Sequence, residues 1–192
     1  MADEHVISRR EFIKVTSIIG SGFAIGFNSL IGSKHQASNF SPDTFVNVLS
    51  DDTIILSVSK AEMGQGVWTS LPMLIAEEME ASWHKVKVNQ TSKDSFMGTG
   101  GSMSIKDYGW KKMRKSGAIA KYMLIEAAAL KWKVSPLECE AKNSVVVHRK
   151  SGKKCSYGSL VEEASKIKIP KKVKLKHNSN FTLLGKDMLR TD

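Results

Sequence analysis

The chain has 192 residues, 41% of them hydrophobic and 25% charged, values of a soluble globular domain with appendages that can bury about 70% of its unfolded surface. This composition excludes a collagen-like chain, a coiled coil and a multispan membrane protein, and two cysteines are too few for a disulfide scaffold or a cysteine-built metal site. The net charge of +10 sits almost entirely beyond residue 131, largely as Lys166, Lys168, Lys171, Lys172, Lys174 and Lys176; with no aromatic to stack on bases and no arginine among them, this is a solvated connector or a docking face for an acidic partner, and no nucleic acid is expected.

At the N-terminus, Ser8-Arg9-Arg10-Glu11-Phe12-Ile13-Lys14 precedes an uncharged run, Val15 to Ile31, diluted by Gly20, Gly22 and Gly26. As a helix at ~1.5 Å per residue this run falls short of a hydrocarbon core of about 30 Å. The pattern resembles a twin-arginine export signal carried by Arg9, Arg10 and Phe12; the alternative is a short amphipathic first helix. Residues 1–37 are therefore expected to be a signal and 38–44 a linker. The resemblance implies a periplasmic protein that folds before export. Gln36-Ala37-Ser38 is a poor cleavage site, so an uncleaved tether to the inner membrane is also expected.

Residues 45–134 read as an α+β core. Phe45–Leu49 and Thr53–Ser59 are β-branched runs joined by Ser50-Asp51-Asp52, a hairpin. The loop Lys60-Ala61-Glu62-Met63-Gly64-Gln65-Gly66 follows. Val67 to about Ala81 has helical spacing, and Pro72 suggests that its regular part starts near Ser70 or Leu71. Lys85–Gln90 is a strand, Ser92–Ser104 a Gly/Ser/Thr loop, and Lys106–Trp132 the longest helix, where Gly117 and the alanine run predict close packing. Residues 135–168 read as a small β/α appendage: a hairpin of Glu138–Ala141 and Ser144–Arg149 turning at Lys142-Asn143, a turn at Ser151-Gly152, and a short helix over Tyr157–Ser165. Residues 169–192 show no regular element and read as a basic connector. The expected fold is a small mixed sheet, hairpin plus strand–helix–strand, with one long packed helix and a small β appendage.

Two loops carry chemical signals. In Gly64-Gln65-Gly66 the glycines permit positive φ and close approach, and the helix start behind them offers unpaired N–H groups suited to an anion. Gln65 adds an uncharged donor and acceptor able to bind a polar ring or an oxo ligand. An ordinary glycine-rich turn with an incidental glutamine fits the same residues. The second loop, Met97-Gly98-Thr99-Gly100-Gly101-Ser102-Met103-Ser104, is a glycine and hydroxyl nest ahead of a helix. It matches neither a P-loop nor a dinucleotide fingerprint.

Glu62 to Glu78, then Gly98-Thr99-Gly100-Gly101-Ser102-Met103-Ser104, then Trp110, Arg114 and Gly117-Ala118, resemble the N-terminal part of the molybdopterin-binding large subunit of isoquinoline oxidoreductase. That group belongs to the xanthine dehydrogenase / aldehyde oxidase superfamily. The similarity extends from Ser8 through Lys131-Trp132 to Cys139, Tyr157-Gly158-Ser159-Leu160 and Leu184-Gly185-Lys186. It implies a partial molybdopterin-binding domain holding molybdopterin cytosine dinucleotide. Gln65 would lie near the metal's oxo face or the pterin, Gly64 and Gly66 would permit that approach, and Gly100, Gly101, Ser102 and Ser104 would hold the phosphates. The implied reaction is oxidative hydroxylation of an N-heterocycle or an aldehyde. The implied partners are the remainder of the subunit, a small 2Fe-2S subunit and a cytochrome acceptor.

The resembling subunits are far longer, with a catalytic glutamate near their distant C-terminus. No catalytic residue is therefore expected in this chain, which reads as an N-terminal fragment inactive alone, and Glu62, Glu77 and Glu78 match nothing in that role. The alternative is an exported adaptor that docks through its basic C-terminal segment. The five histidines lack metal-ligand spacing, so no metal site is expected. Cys139 and Cys155 are expected to remain reduced, and the tryptophans to anchor the core or an interface.

Overall fold

The computed structural model describes residues 23–26, 44–90 and 102–191. Four strands form one sheet in the order β1 (Phe23–Gly26), β2 (Thr44–Val48), β3 (Ile54–Val58) and β4 (Val86–Gln90). β1–β2 and β2–β3 pair antiparallel, whereas β3–β4 pair in parallel, Ile54 opposite Val86 and Val58 opposite Gln90. The expected hairpin is present. Its turn is held by Thr53 N–H donating to Asp51 Oδ1 at 2.9 Å. β1 lies within the stretch expected to be an export signal, where the sequence predicts no strand. Its pairing satisfies the backbone groups of β2 that would otherwise form an open edge. Arg9, Arg10 and Phe12 lie outside the described residues.

The crossover between the parallel strands is α1, Val67–Met79. It begins at Val67, as the helical spacing predicts, and is regular from there rather than from near Ser70 or Leu71. Ser70 N–H donates to the Gly66 carbonyl at 2.9 Å, closing the first turn. Pro72 is therefore interior to the helix, where its missing N–H leaves the Trp68 carbonyl without its usual donor. Thr191 supplies one: its hydroxyl donates to Trp68 O at 2.6 Å. A contact 123 residues away in sequence thus makes the proline tolerable.

The second helix also starts earlier than expected. Ser102 and Met103 are already helical, Ser104–Gly109 form a π-helical turn, and α2 proper runs from Trp110 to Trp132. Ser102 and Ser104 are therefore helix residues rather than members of a loop. α1 and α2 pack as closely as the small residues predict. A Cβ on Gly117 would stand 2.3 Å from the Ile75 carbonyl oxygen and 2.9 Å from Glu78 Cβ, while one on Gly109 would stand 3.6 Å from Leu71 Cδ2. Going from 71 to 78 along α1 matches going from 109 to 117 along α2, so the two helices run in the same direction. Leu71, Leu74, Ile75, Met79, Met123, Leu124 and the alanines at 127 to 129 fill the core between them and the sheet.

The appendage is a three-stranded antiparallel sheet, β5 (Cys139–Lys142), β6 (Val145–His148) and β7 (Lys154–Ser156), followed by a 3-10 turn and α3 (Val161–Ser165). The sequence predicts only the first two strands. Asn143 and Ser144 both have positive φ, the pattern of a two-residue hairpin turn whose twist suits the strands. The appendage is fastened to the end of α1 and to the β2–β3 turn. The buried Tyr157 hydroxyl donates to the Met79 carbonyl, Ser144 N–H donates to Glu80 O at 2.9 Å, and Gly158 N–H donates to Asp52 Oδ1 at 2.6 Å. Cys139 and Cys155 are both free.

Residues 169–191 contain only a 3-10 turn, Asn178–Asn180. They nevertheless fold back along α1 as a strap, which the expectation of a solvated connector misses. The strap is anchored on two buried carboxylates. Glu77 accepts from the backbone N–H groups of Thr182, Leu183 and Leu184 at 2.7 to 3.0 Å and pairs with Lys176. Glu78 accepts from Arg114 Nε at 2.7 Å and from Lys176 N–H at 2.9 Å.

Candidate functional site

The direction of the helices decides where the two singled-out loops lie. β3 and β4 are parallel, so the connections leaving them, β3 to α1 and β4 to α2, emerge at the same edge of the sheet. Because α1 and α2 run in the same direction, their N-termini stand together at that edge. The carboxyl edge of parallel strands is where open α/β sheets bind ligands. The structure thus brings Gly64, Gln65 and Gly66 to the same edge as Ser102. Gly100 and Gly101 lie outside the described residues.

The first connection is built around Glu62. Its Oε1 accepts from the N–H groups of Gly64 and Gly66, each at 2.9 Å, and its Oε2 from Trp68 N–H at 3.0 Å. A carboxylate at a helix N-terminus satisfies orphan donors and meets the positive end of the dipole. The expected anion-accepting N–H groups are therefore taken by this chain's own side chain, and an external phosphate is not the natural occupant of this loop. Glu62 is the functional residue that the sequence reading passes over. The legible signal was an acidic side chain a few residues ahead of a helix start, separated from it by glycines that let the backbone curl around a carboxylate.

Gly64 and Gly66 have φ of 93° and 77°, and a Cβ added to either meets nothing within 4 Å. The glycines are required by backbone conformation, and they leave an open surface on their outer side. Gln65 is exposed. Its Oε1 accepts from Met63 N–H at 2.6 Å and its Nε2 donates to Ala61 O at 2.7 Å. These two bonds fix the amide and leave one N–H and one lone pair for a ligand. The loop therefore fits an uncharged polar ring or an oxo ligand that wants a neutral partner, with room for its approach. Trp68 stiffens the loop from behind, its indole N–H donating to Lys60 O at 3.1 Å.

At the second connection Ser102 is exposed in the first described helical turn, whereas Ser104 is buried in the π turn. Ser102 remains available to a ligand; Ser104 belongs to the packing. Two exposed methionines, Met63 and Met103, stand on the same two connections. Glu77 and Glu78 are buried near the opposite end of α1. Burial opposes ionisation of Glu77, yet Lys176 and the Leu184, Thr182 and Leu183 N–H groups outweigh it and hold its carboxyl below the ordinary range.

Among the described residues, His148 and the tryptophans play supporting roles. His148 is buried between Glu138 Oε2 (3.1 Å) and Ser151 Oγ (2.7 Å), and no group of three potential metal ligands occurs among the described residues. Trp83 donates to Leu189 O at 3.1 Å, tying down the strap. Trp110 meets Phe181 edge-on at 6.4 Å, and Arg114 lies over both rings. Among the described residues no helix is long and apolar enough to cross a membrane.

Comparison with known proteins places this geometry in context. A family model described as the molybdopterin cofactor-binding domain matches residues 4–190. The chain is 27% identical to the isoquinoline 1-oxidoreductase subunit beta of Brevundimonas diminuta, over 97% of this chain and 30% of the relative. It is 33% identical to the membrane-bound aldehyde dehydrogenase [pyrroloquinoline-quinone] of Gluconacetobacter polyoxogenes, over 81% of this chain and 21% of the relative. The chain thus spans less than a third of the length of these curated relatives. Among solved structures, quinoline 2-oxidoreductase from Pseudomonas putida 86 superposes on 60% of this chain and 15% of its own, with a TM-score of 0.50 at 17% identity, a likeness of fold.

Proposed function

The chain belongs to the molybdopterin cofactor-binding domain family, and on that basis we propose that it supplies one wall of the cofactor site in an exported molybdenum hydroxylase. The observation that carries this reading is the shared edge: both β-to-α connections open on one side of the β3–β4 pair, and one of them presents Gln65 between two outward-open glycines. The cofactor form proposed is molybdopterin cytosine dinucleotide. When bound, it supplies the oxidation of a carbon beside a ring nitrogen, or of an aldehyde carbon, with oxygen from water.

This chain's own residues bind and orient. Gln65 offers its spare N–H and lone pair to the oxo face or the pterin without adding charge. Gly64 and Gly66 keep that surface clear, and Glu62 holds the loop in shape by occupying its inner N–H groups. Ser102, with Gly100 and Gly101, is proposed for the dinucleotide phosphates. Ser104, being buried, is withdrawn from that role. The proposed partners are further polypeptide carrying the general base, a small 2Fe-2S subunit and a cytochrome acceptor. Arg9 and Arg10 are proposed to direct export to the periplasm; since β1 holds Phe23–Gly26 in the sheet, a membrane tether through Val15–Ile31 is not proposed. As an alternative adaptor, the chain would dock through its basic segment. Lys166, Lys168, Lys171, Lys172 and Lys174 are exposed there, but Lys176 is committed to Glu77 and Glu80.

Co-expression with the adjoining reading frames tests the main reading. A complex that retains molybdenum by plasma mass spectrometry is expected; a complete complex free of molybdenum overturns it. Gln65→Glu keeps the acceptor for Met63 N–H but loses the donor to Ala61 O and puts a charge where the spare N–H stood. It should lower molybdenum retention or turnover by roughly 10–100-fold with only a small drop in the melting temperature, since the loop is exposed.

A further inference from the structure

A second concave site lies away from the candidate cofactor edge, between the middle of α2 and the strap. We propose that this pocket, lined by Arg114, Lys121, Lys174, Lys176, His177 and Asn178, binds a small multiply charged oxyanion of the phosphate or pyrophosphate class. Its volume is about 530 Å³, within the range of small-ligand clefts.

The lining is rich in donors, and among the described residues no carboxylate lines it. The nearest acidic groups, Glu77, Glu78 and Glu80, are already engaged by Lys176 and Arg114. Those ion pairs hold Arg114 and Lys176 rigidly in the wall. Lys121 differs: it is half-buried on α2 and has no hydrogen-bond or ion-pair partner among the described residues. Desolvation pushes its ammonium below the ordinary lysine range. The more distant Glu80, Glu78 and Glu77 oppose that push and Lys176 reinforces it. A desolvated cation with no direct ion-pair partner, its burial only partly offset by Glu80, Glu78 and Glu77 and facing a cavity of donors, gains from an added anion. On the opposite wall His177 Nδ1 accepts from Ser179 N–H at 3.3 Å. With Nδ1 as the acceptor, the neutral ring carries its proton on Nε2, which is left as a donor. Lys174 is exposed at the rim and supplies a second cation that no ion pair neutralises among the described residues.

Titration of the full 192-residue chain with inorganic pyrophosphate at pH 7.5, followed by thermal shift and calorimetry, tests the proposal. Saturable stabilisation is expected, and Lys121→Met and Lys174→Met should each weaken binding about tenfold or more, while the remote Lys153→Met should not. Because a bound anion favours the charged form of Lys121, whose pKa burial lowers, binding should take up protons as pH rises towards the lysine range. Calorimetry at pH 9 in two buffers of different ionisation enthalpy reads this uptake, and Lys121→Met should abolish it. In the absence of anion Lys121→Met should not lower the melting temperature, because it removes a charge whose desolvation Glu80, Glu78 and Glu77 offset only in part. Stabilisation reproduced by potassium chloride at matched ionic strength, or pyrophosphate binding indifferent to Lys121, overturns the proposal.

Discussion

Glu77 is a carboxylate with almost no contact with solvent, and its oxygens are committed to three consecutive backbone N–H groups and to Lys176. Successive N–H groups converging on one anion form a nest, which is rarely left half-filled. Gln in its place keeps the volume but turns an amide NH2 towards donors. Glu77→Gln should therefore destabilise the fold by about 3 kcal/mol, within the range for breaking a buried charged network, measurable as a lower urea midpoint. The same carboxylate sets a pH dependence. Its folded-state pKa lies below the ordinary 4.5, so its contribution to stability is complete above that value and is lost as pH falls through the lower, folded value. Asp52 behaves alike. Burial would raise its pKa, yet Gly158 N–H, Ser156 and Lys85 hold it down, and it ties the hairpin to the appendage.

At the scale of elements, two helices owe their form to partners far away in sequence. α1 carries Pro72 in its interior because Thr191 covers the freed Trp68 carbonyl. Thr191→Val should cost about 1 kcal/mol, the net value of one hydrogen bond, and hydrogen exchange in the first turns of α1 should quicken while α2 is unaffected. The α1–α2 contact depends on the absence of a side chain at Gly117. Any Cβ there meets the Ile75 carbonyl at 2.3 Å, and backbone cannot swing aside as a flexible side chain can. Gly117→Ala should destabilise by about 3 kcal/mol or more from overpacking despite alanine's better helix propensity, visible as a lower melting temperature. Here the sequence was a good guide: glycine among alanines at helical spacing correctly signals close approach.

The whole molecule is polar along its helices. The candidate cofactor edge lies at the N-termini of α1 and α2, and the appendage is bolted to the far end of α1 by Tyr157 and Ser144 and to the β2–β3 turn by Gly158. The strap spans the two ends, from Glu77 and Glu78 to Thr69 and Trp68 at the start of α1. Acid should release it before the core. As pH falls below the ordinary carboxylate range, amide protection across 174–191, read by hydrogen-exchange mass spectrometry, should vanish while that of 118–129 persists. Simultaneous loss of both would show that the strap and core unfold as one cooperative unit.

The mixed α+β fold, the β2–β3 hairpin and the long packed helix are legible in the residues through local periodicity and turn chemistry. The family is legible through a resemblance that residues 62–78 and 98–104 carry together. The sequence could not tell that Glu62, rather than an external phosphate, fills the first loop, nor that Ser104 is buried in a helical turn. It also could not show that the lysine-rich end folds back onto two buried glutamates. Each of those outcomes is decided by which partner reaches a polar group first. A backbone N–H or a carboxylate must be satisfied once water is excluded, and only the tertiary structure brings together residues 77 and 183, or 68 and 191, to do so.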